Sequence, residues 1–338
     1  MTDTASVPSG DAPDGSPASS PAGAAADSLA DKPDESLASW LQLREPVDHA
    51  SRSETVLSAA LSAALTAARD AAIPADGAVR VLDLATGAGS NLRYLIERLP
   101  GRQDWLVVDR SPVLLRHLLE RTAAWATARG YRADLGDGCL TVRGERVPRR
   151  EDTQCEDTQR GEVRREESPR TDTLHCEIRT RERDLTSLDG DDLFTGRHLV
   201  TASALLDLVS ASWLRSLAAR CRHVGAAALF TITYDGRTTS HPPEPEDARV
   251  LELFNRHQRT DKGLDGTAAG PDSAEAARRA FAEAGFETCV ATSDWTLGPA
   301  HAALQRELID GWAHAAREIA PGEAAWLADW LARRLAHV

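Results

Sequence analysis

Lysine is almost absent from this chain: Lys32 and Lys262 stand against 37 arginines. Methionine occurs once, and aromatic residues make up only 5%, half of them tryptophan. Basic charge is in deficit, with 39 Lys and Arg against 52 Asp and Glu and a net charge of −13. That balance argues against a general affinity for nucleic acid or anionic membranes. No apolar run approaches the roughly 20 residues that a membrane-spanning helix needs. Cys139, Cys155, Cys176, Cys221 and Cys289 are odd in number and include no C-x-x-C pair. A disulfide scaffold and a cysteine zinc site are therefore excluded, and a reducing compartment is expected. The N-terminus lacks the basic and apolar regions of a secretory signal, so the expected location is the cytoplasm.

What is there suits a soluble globular protein: 338 residues, 42% hydrophobic and 27% charged. Residues 1–36 are mostly Ala, Ser, Pro, Gly and Asp, with little to bury, and are predicted to be a disordered acidic tail. Residues 37–338 are expected to form one domain. It would comprise a helical lid over 37–75, a core over 76–297 and two C-terminal helices over 298–338. Within the lid, Val56, Leu57, Ala60, Leu61, Ala64 and Leu65 recur at helical spacing.

Strands and helices then alternate. Strands are predicted at Val79–Leu84, Trp105–Val108, His198–Thr201 and Ala226–Thr233. Helices are predicted at Asn91–Leu99, Val113–Ala128, Ser210–Ala219 and Ser273–Ala284, with Ser111-Pro112 as a cap and first-turn proline. Phe286–Leu297 reads as an extended segment and is the candidate for an antiparallel edge strand. Near-continuously apolar strands alternating with helices imply an α/β fold. The expected form is Rossmann-like and doubly wound, a mostly parallel sheet covered on both faces, with extra helices at both ends. Residues 143–183 interrupt this pattern with eleven Arg and eleven acids. The span of about 145–172 is expected to be a solvated insertion, flanked by strand-like Leu140–Arg143 and Cys176–Thr180.

The informative segment is Asp83-Leu84-Ala85-Thr86-Gly87-Ala88-Gly89-Ser90-Asn91. Glycines between a buried strand and a helix let a ligand approach the backbone closely. Twenty residues past Gly89 the next strand ends at Asp109, where a carboxylate can accept both hydroxyls of a ribose. A nicotinamide fingerprint wants a third glycine where this chain has Leu92, and a Walker loop wants a G-K-[ST] that is missing.

Asp83 ahead of the loop, paired with Asp109, resembles the class I S-adenosylmethionine-dependent methyltransferases. Ala85 replaces the first glycine of their usual motif. The resemblance continues through Val108-Asp109-Arg110, Arg183-Asp184-Leu185 and Thr201-Ala202-Ser203-Ala204-Leu205, and covers about 76–295. It implies S-adenosyl-L-methionine as cofactor, with Asp83, Ala85, Gly87 and Gly89 around its methionine part. Asp109 and Arg110 would serve the ribose, and Asp184, Leu185 and Ser203 the remaining contacts.

The expected activity is methyl transfer to an oxygen or nitrogen of a small molecule, without a metal and without nucleic acid or membrane partners. Tyr234, His257 and Lys262 are the candidate catalytic residues, His257 as a base and Lys262 as the one lysine of the folded part. Arg44, Arg237 and Lys262 are candidate acceptor contacts and lean the reading towards a carboxylate. A trans-aconitate-methyltransferase-like acceptor fits that lean, although no residue pattern fixes it. Two alternatives stay open: an adenosyl-binding protein without turnover, and a nicotinamide-dependent oxidoreductase. The oligomeric state is not readable from the sequence.

Overall fold

Alternating burial along the strands decides how the layers stack. The computed structural model describes residues 34–70, 77–145, 173–189 and 193–338. Its strands are β1 (Val79–Leu84), β2 (Arg102–Asp109), β3 (Arg132–Gly136), β4 (Cys139–Glu145), β5 (Thr173–Glu182), β6 (Leu199–Ser203) and β7 (Ala227–Thr231). They form one sheet in the order β3-β4-β5-β2-β1-β6-β7. β5, β2, β1, β6 and β7 run parallel, whereas β3 and β4 form a hairpin antiparallel to β5. Strand order reverses between β1 and β6. The crevice beyond the carboxyl ends at such a reversal is where open α/β sheets bind ligands.

Side chains alternate across a strand, so each β1 residue chooses its layer by parity. Val79 and Val81 join Trp105, Val107 and Ile178 against α2 (Glu54–Asp70), α3 (Ser90–Ile96) and α4 (Pro112–Ala128). Leu82 and Leu84 join Leu106, Val108 and Val200 against α5 (Ala211–Val224) and Phe281, on a helix over Ser273–Glu283. Asp83 therefore falls by parity on the first face. Ser111 starts α4 as expected, its hydroxyl accepting the Leu114 N–H at 3.1 Å.

In chain order the remaining helices are α1 (Asp34–Ser51), α6 (Asp247–Gln258), α7 (Ser273–Glu283), α8 (Ala302–Ile319) and α9 (Ala324–Leu335). Val250, Leu253, Ile309, Ala313, Leu327 and Trp330 pack α6, α8 and α9 into a smaller core of their own. The fold is thus a Rossmann-like α/β sheet with helices on both faces and additional helices at both ends. No helix among the described residues is long and apolar enough to cross a membrane. Cys139, Cys176, Cys221 and Cys289 are free thiols, two of them in the core.

The sequence reading differs from the structure in three places. Helix α1 begins at Asp34, inside the span read as a tail. Its first turn is anchored by Asp34 accepting from the Ser111 hydroxyl at 2.7 Å and by Glu35 beside His117 at 2.9 Å. The rest of that tail and residues 146–172 of the insertion lie outside the described residues. Second, Phe286–Leu297 pairs with no strand, and the antiparallel part of the sheet sits at the opposite edge, in β3 and β4. Third, β3 was unread because four of its five side chains are exposed, leaving no apolar alternation to see.

Candidate functional site

Three neighbouring strands leave the sheet through strained residues. Ala85 follows β1 with φ 48°, Ala204 follows β6 with φ 56°, and Ile232 follows β7 with φ 54°. Left-handed backbone costs a non-glycine residue about 1–2 kcal/mol, and a β-branched residue suffers most. Such strain clusters where a surrounding network over-determines the chain. Ala85 explains its own departure from the glycine pattern: it adopts the glycine conformation without being one.

That network is centred on Asp83, which is fully buried. One carboxylate oxygen accepts from the Thr86 hydroxyl at 2.6 Å, the other from the Asn91 amide at 2.7 Å. The Asn91 amide also reaches Thr201 Oγ1 on β6 at 3.1 Å, bridging the strand-order reversal. Burial pushes the Asp83 pKa up to about 6, against the pull of those hydrogen bonds and of Arg52. Arg52 donates from Nη1 to Asn91 Oδ1 at 2.7 Å, while its Nε and Nη2 are buried without a hydrogen-bond partner. Its guanidinium lies 4.3 Å from the centre of the Tyr94 ring, and burial pulls its pKa down to about 10.

Asp109 ends β2, with its oxygens accepting the backbone N–H of Gly87 at 2.8 Å and of Ser111 at 3.0 Å. It thereby ties the glycine loop to the start of α4, and burial raises its pKa. Gly87 has φ 54°, and a Cβ there would lie 2.9 Å from Leu41 of α1. At Gly89 a Cβ would lie 2.7 Å from Leu118 of α4. Gly87 thus leaves space that α1 enters, whereas Gly89 serves helix packing.

Helix α1 closes this end of the site. Glu45 holds Arg93 with two hydrogen bonds, at 2.8 and 2.6 Å, and Arg121 at 3.1 Å. His49 Nε2 lies 3.0 Å from the Ser90 carbonyl, which requires that nitrogen to carry the proton. Burial lowers the His49 pKa to about 4. Beneath α1 a cavity of about 40 Å³ remains, lined by Leu41, Arg44, Asp83, Gly87, Ser203 and Ala204 among others. That is far below the roughly 300–1,000 Å³ of ligand pockets, so α1 must shift before a nucleotide-sized ligand fits.

A second cavity, of about 1120 Å³, adjoins the first, and both are lined by Arg44 and Ala204. It runs along the open edge of β7, bordered by Phe286–Leu297 and by α8, with Asp207, Tyr234, Phe254, Trp295 and Trp312 in its walls. Its size follows from the edge that no strand covers.

The residues expected from the sequence divide between these places. Asp83, Ala85, Gly87 and Ser203 line the small cavity, and Asp109 and Gly89 brace its loop. Arg110 is exposed at the end of β2. Asp184 is exposed and turned to its own chain, capping Thr186 through the backbone N–H and the hydroxyl. Leu185 is buried, its carbonyl accepting the Trp213 indole at 2.7 Å. Neither of that pair is among the cavity linings.

On the other side, Tyr234 donates to Asn255 Oδ1 at 2.7 Å, and burial raises its pKa. Arg237 is held by Asp235 at 2.6 Å and Asp294 at 3.1 Å. Arg44 is held by Asp48 at 2.9 Å and stacks 5.1 Å from the Trp295 ring. His257 is buried against Glu318 of α8 at 2.9 Å, with Lys262 Nζ 3.4 Å from its ring. Those two residues form a pair behind the cavity wall. The sequence reading missed Arg52, Asn91, Thr201 and Asp207. Asn91 was within reach, since an amide in the first turn after the glycine loop faces the strand acid. The others meet the site only through the fold.

No family model matches this chain, and no curated protein does. Among solved structures, the S-adenosylmethionine-dependent methyltransferase SibL in its apo form aligns over 77% of this chain and 53% of its own, at 16% identity and TM-score 0.37. Human N-acetylserotonin methyltransferase in complex with SAM aligns over 75% and 49%, at 12% identity and TM-score 0.33. The cyclase SpnF aligns over 82% and 73%, at 16% identity and TM-score 0.30. The chain spans about half the length of the first two. What it does chemically therefore rests on its own side chains.

Proposed function

We propose that this chain is a methyltransferase that uses S-adenosyl-L-methionine to methylate an oxygen or nitrogen of a small molecule. The observation that carries the reading is the junction of two cavities at the strand-order reversal. A glycine-loop site and a roomy, largely apolar site meet at Arg44 and Ala204. A donor and an acceptor held on either side of that wall would be aligned for direct transfer.

The residues fit the cofactor. Gly87 leaves a cradle that a Cβ would fill. Each Asp109 oxygen has one lone pair committed to a backbone N–H and another for a ribose hydroxyl. Arg52 has two buried N–H groups that a carboxylate such as that of the methionine moiety would satisfy. The bound cofactor supplies an electrophilic methyl group on a sulfonium. The protein's part is to hold the ribose at Asp109, keep the loop rigid through Asp83 and Asn91, and exclude water with α1. Such positioning can contribute about 7–11 kcal/mol in the best cases. Arg44, Arg237 and Lys262 already hold partners, which weakens the case for a carboxylate acceptor. The acidic balance and free thiols favour a small-molecule enzyme of the cytoplasm.

Leu92, fully buried where a nicotinamide fingerprint needs its third glycine, opposes the oxidoreductase reading. The test is a thermal-shift titration with S-adenosylmethionine, S-adenosylhomocysteine and NAD(P). The adenosyl compounds alone should raise Tm, and Asp109→Ala should weaken them about tenfold or more. A shift with NAD(P) alone would sink the proposal. Adenosyl binding without turnover on any acceptor would leave a binding protein.

A further inference from the structure

Asp207 is the acid that the cofactor reading leaves unused. It lies in the turn after β6, four residues past Ser203 and three past strained Ala204, and it lines the large cavity. Its carboxylate receives the backbone N–H groups of Asp207 and Tyr234. Its Oδ1, however, is buried and has no hydrogen-bond partner. A buried acceptor left without a donor is costly, about 1–3 kcal/mol and more when charged. Structures that retain such a group give it a role when a ligand arrives.

The surroundings narrow what that ligand is. The cations nearest in effect, Arg44 and Lys262, moderate the carboxylate's charge from a distance, and each is engaged elsewhere, by Asp48 and beside His257. Burial is the largest influence on Asp207 and raises its pKa. Around it stand Tyr234, Phe254, Trp295 and Trp312, an aromatic lining suited to a flat apolar body. A carboxylate brought here would face another carboxylate with no donor between them. A hydroxyl or an amine would bring the missing hydrogen.

We propose that Asp207 selects the acceptor, taking a hydrogen bond from a hydroxyl or amine carried on an aromatic or apolar body, and that free carboxylates are rejected. The proposal deepens the methyl-transfer reading and rests on it for the word acceptor. As a statement about binding it can be tested separately.

The probes are 2-phenylethylamine, 2-phenylethanol and phenylacetate, which share a body and differ in their polar head. Their binding to the full chain is measured by saturation-transfer NMR, with and without S-adenosylhomocysteine. Wild type should bind the amine and the alcohol about tenfold more tightly than phenylacetate. Asp207→Leu should abolish the preference for both donors. Asp207→Asn, which keeps a neutral acceptor, should weaken the amine and spare the alcohol, and it carries the test if the leucine variant does not fold. S-adenosylhomocysteine affinity should be unchanged in both variants. Phenylacetate binding as well as the donors, binding of none of the three, or an unaltered preference in the variants would each overturn the proposal. Donor preference in a protein that does not bind S-adenosylhomocysteine would uphold Asp207 and overturn methyl transfer.

Discussion

The two cavities that meet at Arg44 and Ala204 are built on opposite principles. On the glycine-loop side nearly every polar group is spoken for: Asp83 by Thr86 and Asn91, Asp109 by Gly87 and Ser111, Glu45 by Arg93 and Arg121. The space left over is about 40 Å³. On the β7 side the wall is an uncovered strand edge, an unpaired extended segment and scattered aromatics around about 1120 Å³. A saturated network suits a ligand whose shape never varies. A loose apolar chamber with one unsatisfied acid suits a ligand chosen by bulk and a single polar contact. The comparison teaches that precision at one end of a site does not require it at the other.

Substitution should separate the two sides most strongly in stability. Asp83→Ala leaves Asn91, Thr86 and buried Arg52 without their acceptor, and is expected to cost about 3–5 kcal/mol in urea denaturation. Cys289→Ser, on the exposed wall of the large cavity, is expected to stay within about 0.5 kcal/mol. Equal small losses would break the comparison.

A smaller effect should appear with pH. His49 has a folded pKa of about 4 against the ordinary 6.5, so between those values the native state binds fewer protons than the unfolded chain. Its contribution to stability therefore rises with pH through that window. Asp83, with a folded pKa of about 6 against 3.8, runs the other way, its share falling from about pH 4 to 6. His49→Gln keeps a neutral donor to Ser90 and removes only the rising limb. Wild type should gain about 1–2 kcal/mol on this variant between pH 4 and 6.5 in urea midpoints. Parallel profiles would show that His49 is not buried as described.

The smallest expected change is Ala85→Gly. It relieves left-handed strain and adds unfolded-state entropy, for a net gain below about 1 kcal/mol and a Tm rise of a few degrees at most. A fall in Tm would mean that the Ala85 methyl packs more than its backbone strains.

Much of the fold was legible because its signals are local. Val79–Leu84 is the strand at the bounds read from sequence, and Ser111-Pro112 starts α4 by its own capping chemistry. The hairpin of β3 and β4 was missed although Asp137-Gly138 is a turn pair, because exposed strands carry no periodic apolar signal. Phe286–Leu297 has strand-like composition and no strand partner, since pairing belongs to a neighbour and not to a segment. The loop acids Asp83 and Asp109 were legible because strand ends and glycine turns fix where such residues point.

Sequence alone determined the alternating strands and helices, the glycine loop and the two acids flanking it, for these depend on periodicity and turn chemistry within a few residues. Only the tertiary structure decided that α1 closes over Gly87 and that Arg52, 39 residues before Asn91, joins its hydrogen-bond network. It also set His257 against Glu318 and left Asp207 with an unpartnered oxygen. Those outcomes depend on which distant groups arrive to share a buried hydrogen bond. Chain folding sets that, and residue spacing does not encode it.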